Sequence, residues 1–505
     1  MSEPAGDSSR VEIPLVDPVR RLFATLALAL LAACGSGGRE TVHVVAIGAP
    51  GDPFQSGIRL APAGQLTRAA TTEGLVAFDA QGRVVPALAD RWIVTDDGKS
   101  YLFRLRDGTW GQGGDLTARS AVRSLNAAIR ALRGTALGLD LDEIDEIREM
   151  AGRVMEIRLS RPMPHFLQLL AQPELGLFHE GAGAGPMILA RQGGTAVLTP
   201  LPPEERGLPA ERNWQKRVRT VDFRANGAEA AVEAFNHGEV DLVLGGRIQD
   251  FPRTSSVGIL RGTIQLDPVT GLFGLAVIRA KAFLRDADNR EAVAMAIQRE
   301  DLIQPFGLDG WIATARIVPP GIEGVPGTAS ERWAGMTIDQ RRQMAAARVL
   351  RWRDGEGGGG AVRVTVGLPE GPGADILFER LAGDLARIGV ELVRAGKNQR
   401  PDLRLLDEVA RYPRPMWFLN QLSCTARRGL CSSSADASVA QAGRTENAQE
   451  RAALLGQAEE ELTRANVFIP FGSPIRWSLV RGSMDEFVPN QWGWHPLMPL
   501  AVLPR

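Results

Sequence analysis

Apolar and polar positions along this chain alternate with the short period of strands in some stretches and with the longer period of helices in others. The almost wholly apolar run Thr41–Ile47 ends at Gly-Ala-Pro-Gly, which predicts a buried strand followed by a turn. Residues 241–244, which precede Gly-Gly, and the alternating segment Val154–Leu159 predict two more strands. Thr117 precedes apolar residues at helical spacing, so we expect its side chain to cap a helix.

The second half of the chain has the same mixture of periods. Helices are predicted at 290–303, 338–353, 374–388 and 446–464, and strands at 362–366 and 390–393. A strand, a helix and a second strand in succession form a unit whose two strands pair in parallel. Strands and helices that interleave throughout a chain indicate the α/β class.

Length and charge narrow the possible functions. A chain of 505 residues exceeds the size at which one core stops growing, so two or three lobes are expected. The 58 Lys and Arg residues nearly balance the 59 Asp and Glu residues. Because proteins that bind nucleic acid carry a basic excess or a basic stripe, we expect no nucleic-acid partner.

The N-terminal region has the parts of an export signal. Arg20 and Arg21 precede an apolar run at 22–31 that is too short to span a bilayer and ends in small residues before Cys34. Residues 31–34, Leu-Ala-Ala-Cys, resemble the bacterial lipobox, which implies cleavage before Cys34 and a lipid on that residue. We therefore predict a signal peptide at 1–34 and a Gly-rich tether at 35–40. A buried N-terminal helix is the alternative.

Two cysteines remain, Cys424 and Cys431, seven positions apart. In an oxidising compartment this spacing favours a small disulfide loop. A metal pair is the rival interpretation, although no histidine or third cysteine lies close by in the sequence.

A series of motifs runs through the chain in a recognisable order. They are Glu-Gly-Leu at 73–75, Val-Pro-Ala-Leu-Ala-Asp-Arg-Trp at 85–92, Asp-Asp-Gly at 96–98, Gly-Glu-Val-Asp at 238–241 and Val-Pro-Pro-Gly at 318–321. In this order the chain resembles the family of periplasmic binding proteins for oligopeptides, dipeptides, nickel and opines that serve ABC importers, solute-binding protein family 5.

The resemblance implies a two-lobed periplasmic-binding-protein fold of type II, cluster C, that closes on its ligand like a hinged clamp. The implied domains are lobe one at 41–60, 164–272 and 471–505, an accessory subdomain on lobe one at 61–163, and lobe two at 273–470.

The resemblance also suggests where a ligand binds. Family members that bind peptides can hold the ligand's amino group with an acidic residue in a segment that corresponds to 407–420 here. This chain has Arg411 and Arg414 where carboxylates are often found, and Asp407 or Glu408 remains as a source of negative charge. Our hypothesis is a cleft for an anionic or polar group, with Arg411 as donor and Tyr412 and Trp417 as walls. Two surface arginines are the alternative.

Three more residues are candidate ligand contacts. Asn420 ends the same segment, Glu73 begins a motif that lies near the cleft in relatives, and Phe273 occupies the first crossover between lobes. A surface carboxylate is the alternative for Glu73, and a core aromatic is the alternative for Phe273.

The functional expectation is an extracytoplasmic component of an ABC importer that captures a peptide-like or other small polar ligand. Its expected partners are the ligand and the importer's permease subunits, with membrane contact through the lipid alone. We expect a monomeric lipoprotein in the periplasm. A transport-independent sensor or scaffold of the same fold is the alternative.

The sequence lacks the catalytic motifs that would indicate an enzyme. The five histidines are scattered, no Gly-x-Ser-x-Gly elbow is present, and the glycine run 357–360 lacks the Lys-Ser/Thr of a phosphate loop. A secreted hydrolase is the weaker alternative, and we expect no cofactor and no bound metal.

Overall fold

The computed structural model describes residues 41–258, 263–324 and 331–503. The predicted signal peptide, its Cys34 and the tether at 35–40 lie outside the described residues.

Strands and short helices alternate along the described chain. The strands are β1 Thr41–Ile47, β2 Val76–Phe78, β3 Val84–Pro86, β4 Ala89–Val94, β5 Ser100–Leu105, β6 Ile144–Glu149, β7 Val154–Leu159, β8 Phe178–His179, β9 Ala182–Gly183, β10 Met187–Gln192, β11 Thr195–Pro200, β12 Thr220–Asn226, β13 Leu242–Arg247, β14 Ile264–Leu266, β15 Gly271–Val277, β16 Val362–Gly367, β17 Val390–Arg394, β18 Leu403–Val409, β19 Phe468–Gly472 and β20 Arg476–Val480. The α-helices are α1 Pro62–Thr71, α2 Ala118–Leu132, α3 Ala136–Asp140, α4 Phe166–Leu170, α5 Ala228–Asn236, α6 Ala287–Ala296, α7 Arg299–Ile303, α8 Ile338–Asp354, α9 Pro372–Ala386, α10 Pro415–Gln421, α11 Ser433–Arg444, α12 Ala448–Arg464 and α13 Leu497–Leu500.

Lobe one is built on a seven-stranded sheet in the order β10-β11-β12-β1-β13-β20-β14. The predicted strand at 41–47 is confirmed as β1, which pairs in parallel with both β12 and β13. Successive side chains of a strand point to opposite faces. Val44 and Ala46 accordingly pack in the core that contains α1, whereas Val45 belongs to the core on the other face. Both faces of the sheet are therefore covered.

Lobe two is built on a five-stranded sheet in the order β17-β16-β18-β15-β19. The predicted parallel unit is confirmed: β16 pairs in parallel with β17, and α9 connects them. The strand β15 is buried along its whole length and lies between β18 and β19. Because β16 and β17 pair in parallel, their carboxyl ends lie at the same edge of the sheet, beside the cleft described below.

A four-stranded antiparallel sheet, β4-β5-β7-β6, forms a smaller layer. Thr117 caps α2 as predicted: its hydroxyl accepts the backbone N–H of Ser120, and the Ser120 side chain completes a reciprocal capping box. The core beneath this sheet includes Phe103 and Ile157, and it continues into Trp417 and Leu462 of lobe two. The smaller layer thus packs against lobe two as well.

The predicted helix at 290–303 is wrong as a single element. Helix α6 ends at Ala296 and α7 begins at Arg299, because Ile297 and Gln298 have extended backbone angles. Side chains satisfy the groups freed by the break: Arg342 Nε donates to the Ala296 carbonyl at 3.0 Å, and the Gln298 N–H donates to Asp384 Oδ2 at 2.9 Å. Tertiary hydrogen bonds therefore replace one turn of the helix.

The sheets draw their strands from the segments predicted for each lobe, and the domain boundaries themselves stay a prediction. At the crossovers, β15 begins at Gly271 and β19 ends at Gly472, each within two residues of a predicted boundary. Within the described residues, no helix has both the length and the apolar character needed to cross a bilayer.

Candidate ligand-binding cleft

Among the cavities lined by residues of both predicted lobes, two share Glu408 at the end of β18. The first, which we name the cationic cavity, has a volume of about 710 Å³ and is lined by 247, 249, 366–370, 394–397, 399, 401 and 404–408. The second, which we name the Glu174 cavity, has a volume of about 350 Å³ and is lined by 58–60, 65, 132, 134–137, 174, 408, 409, 411, 417, 421, 426 and 428. Each has the size of a small-ligand site.

Basic side chains give the cationic cavity its name. Arg394 pairs with Asp375 at 2.6 Å, and Lys397 pairs with Glu370 at 2.9 Å. Arg404 also lines the cavity, and its side chain has no ion pair or hydrogen bond with the described residues. The cavity therefore offers one guanidinium that none of the described residues pairs with.

Asp407 connects the two lobes behind this cavity. Arg476 of β20 donates from Nη1 to Asp407 Oδ1 at 2.8 Å, and Arg247 of β13 donates to the Asp407 backbone carbonyl at 3.0 Å. The carboxylate is almost fully buried. Burial and the neighbouring Arg476 lower the pKa of Arg247, while the charge of Asp407 acts in the opposite direction. Two lobe-one arginines thus hold the end of a lobe-two strand.

Arg411 forms an ion pair inside the Glu174 cavity. Its Nη2 donates to Glu174 Oε1 at 2.7 Å and its Nη1 donates to Glu174 Oε2 at 2.8 Å, while Nη1 also reaches Gln172 Oε1 at 2.8 Å. Burial alone would raise the pKa of Glu174, but Arg411, together with a backbone hydrogen bond and the charge of Arg68, holds that pKa below its ordinary value. The predicted anion donor is already paired within the protein.

Tyr412 and Asn420 converge on a buried carboxylate rather than on either named cavity. The Tyr412 hydroxyl donates to Asp140 Oδ1 at 2.9 Å, and Asn420 Nδ2 donates to the same atom at 2.7 Å. Burial raises the pKa of Asp140 to about 7, against the lowering effect of both hydrogen bonds. The His165 ring stacks on Tyr412 with centroids 3.9 Å apart. The assignment of Tyr412 and Asn420 as ligand contacts stays a prediction.

Trp417 and Phe273, two more of the predicted ligand contacts, lie in different parts of the structure. Trp417 lines the Glu174 cavity, and its indole N–H has no hydrogen-bond partner among the described residues. Phe273 packs edge-on against Phe471 in the core, with centroids 5.5 Å apart.

Glu73 lies away from both named cavities. It is buried between two arginines, Arg106 at 2.9 Å and Arg206 at 3.2 Å. The surface alternative for Glu73 therefore does not apply, and its assignment as a ligand contact stays a prediction.

Cys424 and Cys431 form a disulfide in the structure, with Cα atoms 5.1 Å apart. Across the described residues, no group of three or more His, Cys, Asp or Glu side chains is arranged to hold a metal ion.

Comparison with known proteins identifies the family. The model for bacterial extracellular solute-binding proteins, family 5 (middle region), matches residues 83–427. The chain belongs to this family. The probable di/tripeptide-binding protein 5 of Pseudomonas aeruginosa is 23% identical over 493 residues, covering 85% of this chain and 89% of that protein. The Escherichia coli probable deoxycholate-binding periplasmic protein YgiS is 33% identical over 121 residues, only 20% of this chain and 23% of that protein.

Solved structures show the same family fold. Haemophilus influenzae OppA in complex with RPPGFSPFR superposes with a TM-score of 0.77 at 16% identity, covering 93% of this chain and 99% of that one. The Escherichia coli murein tripeptide binding protein MppA gives a TM-score of 0.75 at 18% identity, covering 92% and 98%. The two-lobed α/β fold expected from the sequence is therefore confirmed.

Sequence reasoning missed several residues of the cleft. Glu174 and Arg247 line the two cavities and come from segments with no motif of their own. Arg476, which holds Asp407, and Asp140, which accepts from Tyr412 outside both cavities, were missed as well. A signal existed for Asp407 and Glu408, which the sequence suggested as sources of negative charge near Arg411.

Proposed function

We propose that this protein is the extracytoplasmic solute-binding component of an ABC importer, and that it holds a small peptide-like or other polar ligand in the cleft formed by the cationic cavity and the Glu174 cavity. The observation that carries the proposal is the lining of both cavities by the two lobes together. A ligand in such a position contacts both lobes only when they are closed, so binding favours closure. Family membership and the peptide-binding relatives support the ligand class.

Charge gives the cationic cavity its selectivity in this proposal. The Arg404 guanidinium is a donor without a partner in the described chain, and it faces the same cavity as the paired Lys397. A ligand carboxylate or other anionic group accepts from a guanidinium through two parallel hydrogen bonds. We place the anionic end of the ligand against Arg404.

The two connections between the lobes would act as the hinge for closure. The chain leaves lobe one after β14 and returns to it before β20, so two connections join the lobes. The proposed lobes are those of the sequence analysis. Asp407 lies beside the hinge, where its contacts with Arg476 and Arg247 depend on the relative position of the lobes.

The proposal includes a membrane-anchored monomer in the periplasm that binds without turnover. The anchor rests on the signal and lipobox sequence before Cys34. Labelling cells with a radioactive fatty acid should mark the wild-type protein and leave Cys34→Ser unmarked. Equal labelling of both proteins would remove the anchor from the proposal.

The ligand test begins with mass spectrometry of small molecules released from the purified mature domain. Calorimetry with the identified molecule then compares Arg404→Ala with the control Arg363→Ala. Arg363 lies on β16, and its replacement breaks an exposed pair with Glu391 of β17. We expect Arg404→Ala to weaken binding at least tenfold, the size of a lost charge-assisted contact, and the control to bind like wild type. Equal binding by all three proteins, or conversion of the molecule during incubation, would refute the proposal.

A further inference from the structure

The Glu174 carboxylate lies in the wall of a ligand-sized cleft and is only 7% exposed. It belongs to the short 3-10 helix Pro173–Leu175 of lobe one. A buried carboxylate without a cationic partner is strongly disfavoured, so Glu174 requires a positive group at this place in the cleft.

Arg411 supplies that positive group from lobe two. It lies 237 positions away in the chain and meets Glu174 through two parallel hydrogen bonds of 2.7 and 2.8 Å. Gln172 accepts a third hydrogen bond from the same guanidinium. The planar fork is thereby fixed against the carboxylate, and both oxygens of Glu174 are occupied.

We propose that Arg411 is a specificity-determining residue: it occupies, inside the cleft, the position against Glu174 that a ligand's ammonium group would need. The cleft of this protein therefore selects ligands whose end at this position is uncharged or anionic. This inference deepens the proposed function and rests on it for the location of the ligand.

The other charges of the Glu174 cavity agree with this selectivity. Arg428 pairs with Glu408 at 3.0 Å, which leaves Arg59 as a lining cation that has no ion pair or side-chain hydrogen bond with the described residues. The pairs Arg411–Glu174 and Arg428–Glu408 are each neutral, so the positive charge of Arg59 remains in the cavity. A positive cavity repels an ammonium group and attracts a carboxylate.

A purely structural role for the pair makes a different prediction. If Arg411 only joined the lobes, its removal would weaken the fold but would not change which end of a ligand the cleft prefers. If Arg411 fills a cation position, its removal opens a space beside a buried negative charge that a small cation can enter.

The first experiment measures thermal unfolding of Arg411→Ala in 20 mM sodium, ethylammonium or methylguanidinium chloride, a concentration chosen so that neither organic cation denatures. We expect the organic cations to raise the Tm of Arg411→Ala by several degrees relative to sodium and to leave the wild type unchanged. Arg428→Ala is the matched control, because its partner Glu408 is 42% exposed and remains hydrated. Arg411→Lys retains an internal ammonium and should show no rescue.

The double variant Glu174→Gln/Arg411→Ala separates charge from folding. It removes both members of the pair, so it should fold without the buried charge and show no response to the organic cations. Equal Tm values of Arg411→Ala in all three salts would overturn the inference, as would equal rescue of the double variant.

The second experiment uses calorimetry with a matched pair of tripeptides, trialanine and N-acetyl-trialanine. We expect the wild type to prefer the acetylated peptide, and Arg411→Ala to shift the ratio at least tenfold toward the free amine. An unchanged ratio would overturn the inference. Rescue by small cations with no binding of either peptide to any variant would remove the peptide-like ligand from the proposed function and leave the role of Arg411 standing.

Discussion

The carboxyl group of Asp140 should make the stability of this protein depend on pH. Burial raises its pKa from 3.8 to about 7, a difference of about 3 units. At about 1.4 kcal/mol per unit, ionising the folded protein costs about 4 kcal/mol more than ionising the unfolded chain. Because the folded-state pKa is raised, the full stability is present below pH 4 and is lost as the pH rises to about 7.

Asp140→Asn removes this titration and keeps the shape of the site. The amide oxygen can accept from Tyr412 and Asn420 as Oδ1 does, and the amide nitrogen takes the place of Oδ2, which has no partner in the described residues. An unpaired buried N–H costs about 1–3 kcal/mol. We therefore expect the variant to be about 1–3 kcal/mol more stable than wild type at pH 8 and less stable at pH 4.

The assay is urea unfolding followed by circular dichroism at half-unit steps from pH 4 to pH 8. The difference between the two proteins isolates Asp140, since all other groups titrate in both. Asp90→Asn, a change at an exposed position of β4, is the control and should run parallel to wild type. Parallel curves for wild type and Asp140→Asn across this range would refute the argument from burial.

Two further predictions concern stability. Glu73→Gln should lower the free energy of unfolding by about 3–5 kcal/mol, because Arg106 and Arg206 are left buried without a counter-charge; equal midpoints in urea would contradict this. Cys424→Ser/Cys431→Ser should lower it by about 2.5 kcal/mol through the lost loop constraint, and reduction of the wild type should give the same loss.

The sequence predicted the elements that are determined by residues close to them in the chain. The cap at Thr117 and the strand at 41–47 depend on neighbouring residues, and both are present. The break at Ile297 could not be predicted, because the groups that stabilise it are side chains of Arg342 and Asp384, far along the chain. Helical periodicity continues through the break.

The cleft was less predictable for the same reason. The sequence placed Arg411 and Trp417 near a ligand, and both line the Glu174 cavity. Nothing in the sequence indicated that Glu174 would meet Arg411, since the contact depends on how two lobes pack. A resemblance to a family can indicate that Arg411 lies near a ligand, but it cannot indicate which residue of the other lobe pairs with it.

The place of β20 in lobe one has a consequence for biosynthesis. This strand, Arg476–Val480, lies between β13 and β14, although it follows every strand of lobe two along the chain. The strand β1, made first among the described residues, must also wait for β12 and β13. Lobe two, by contrast, has all its strands between Gly271 and Gly472. On a ribosome the sheet of lobe one is therefore completed after that of lobe two, and its open strand edges stay accessible to chaperones until β20 has been made.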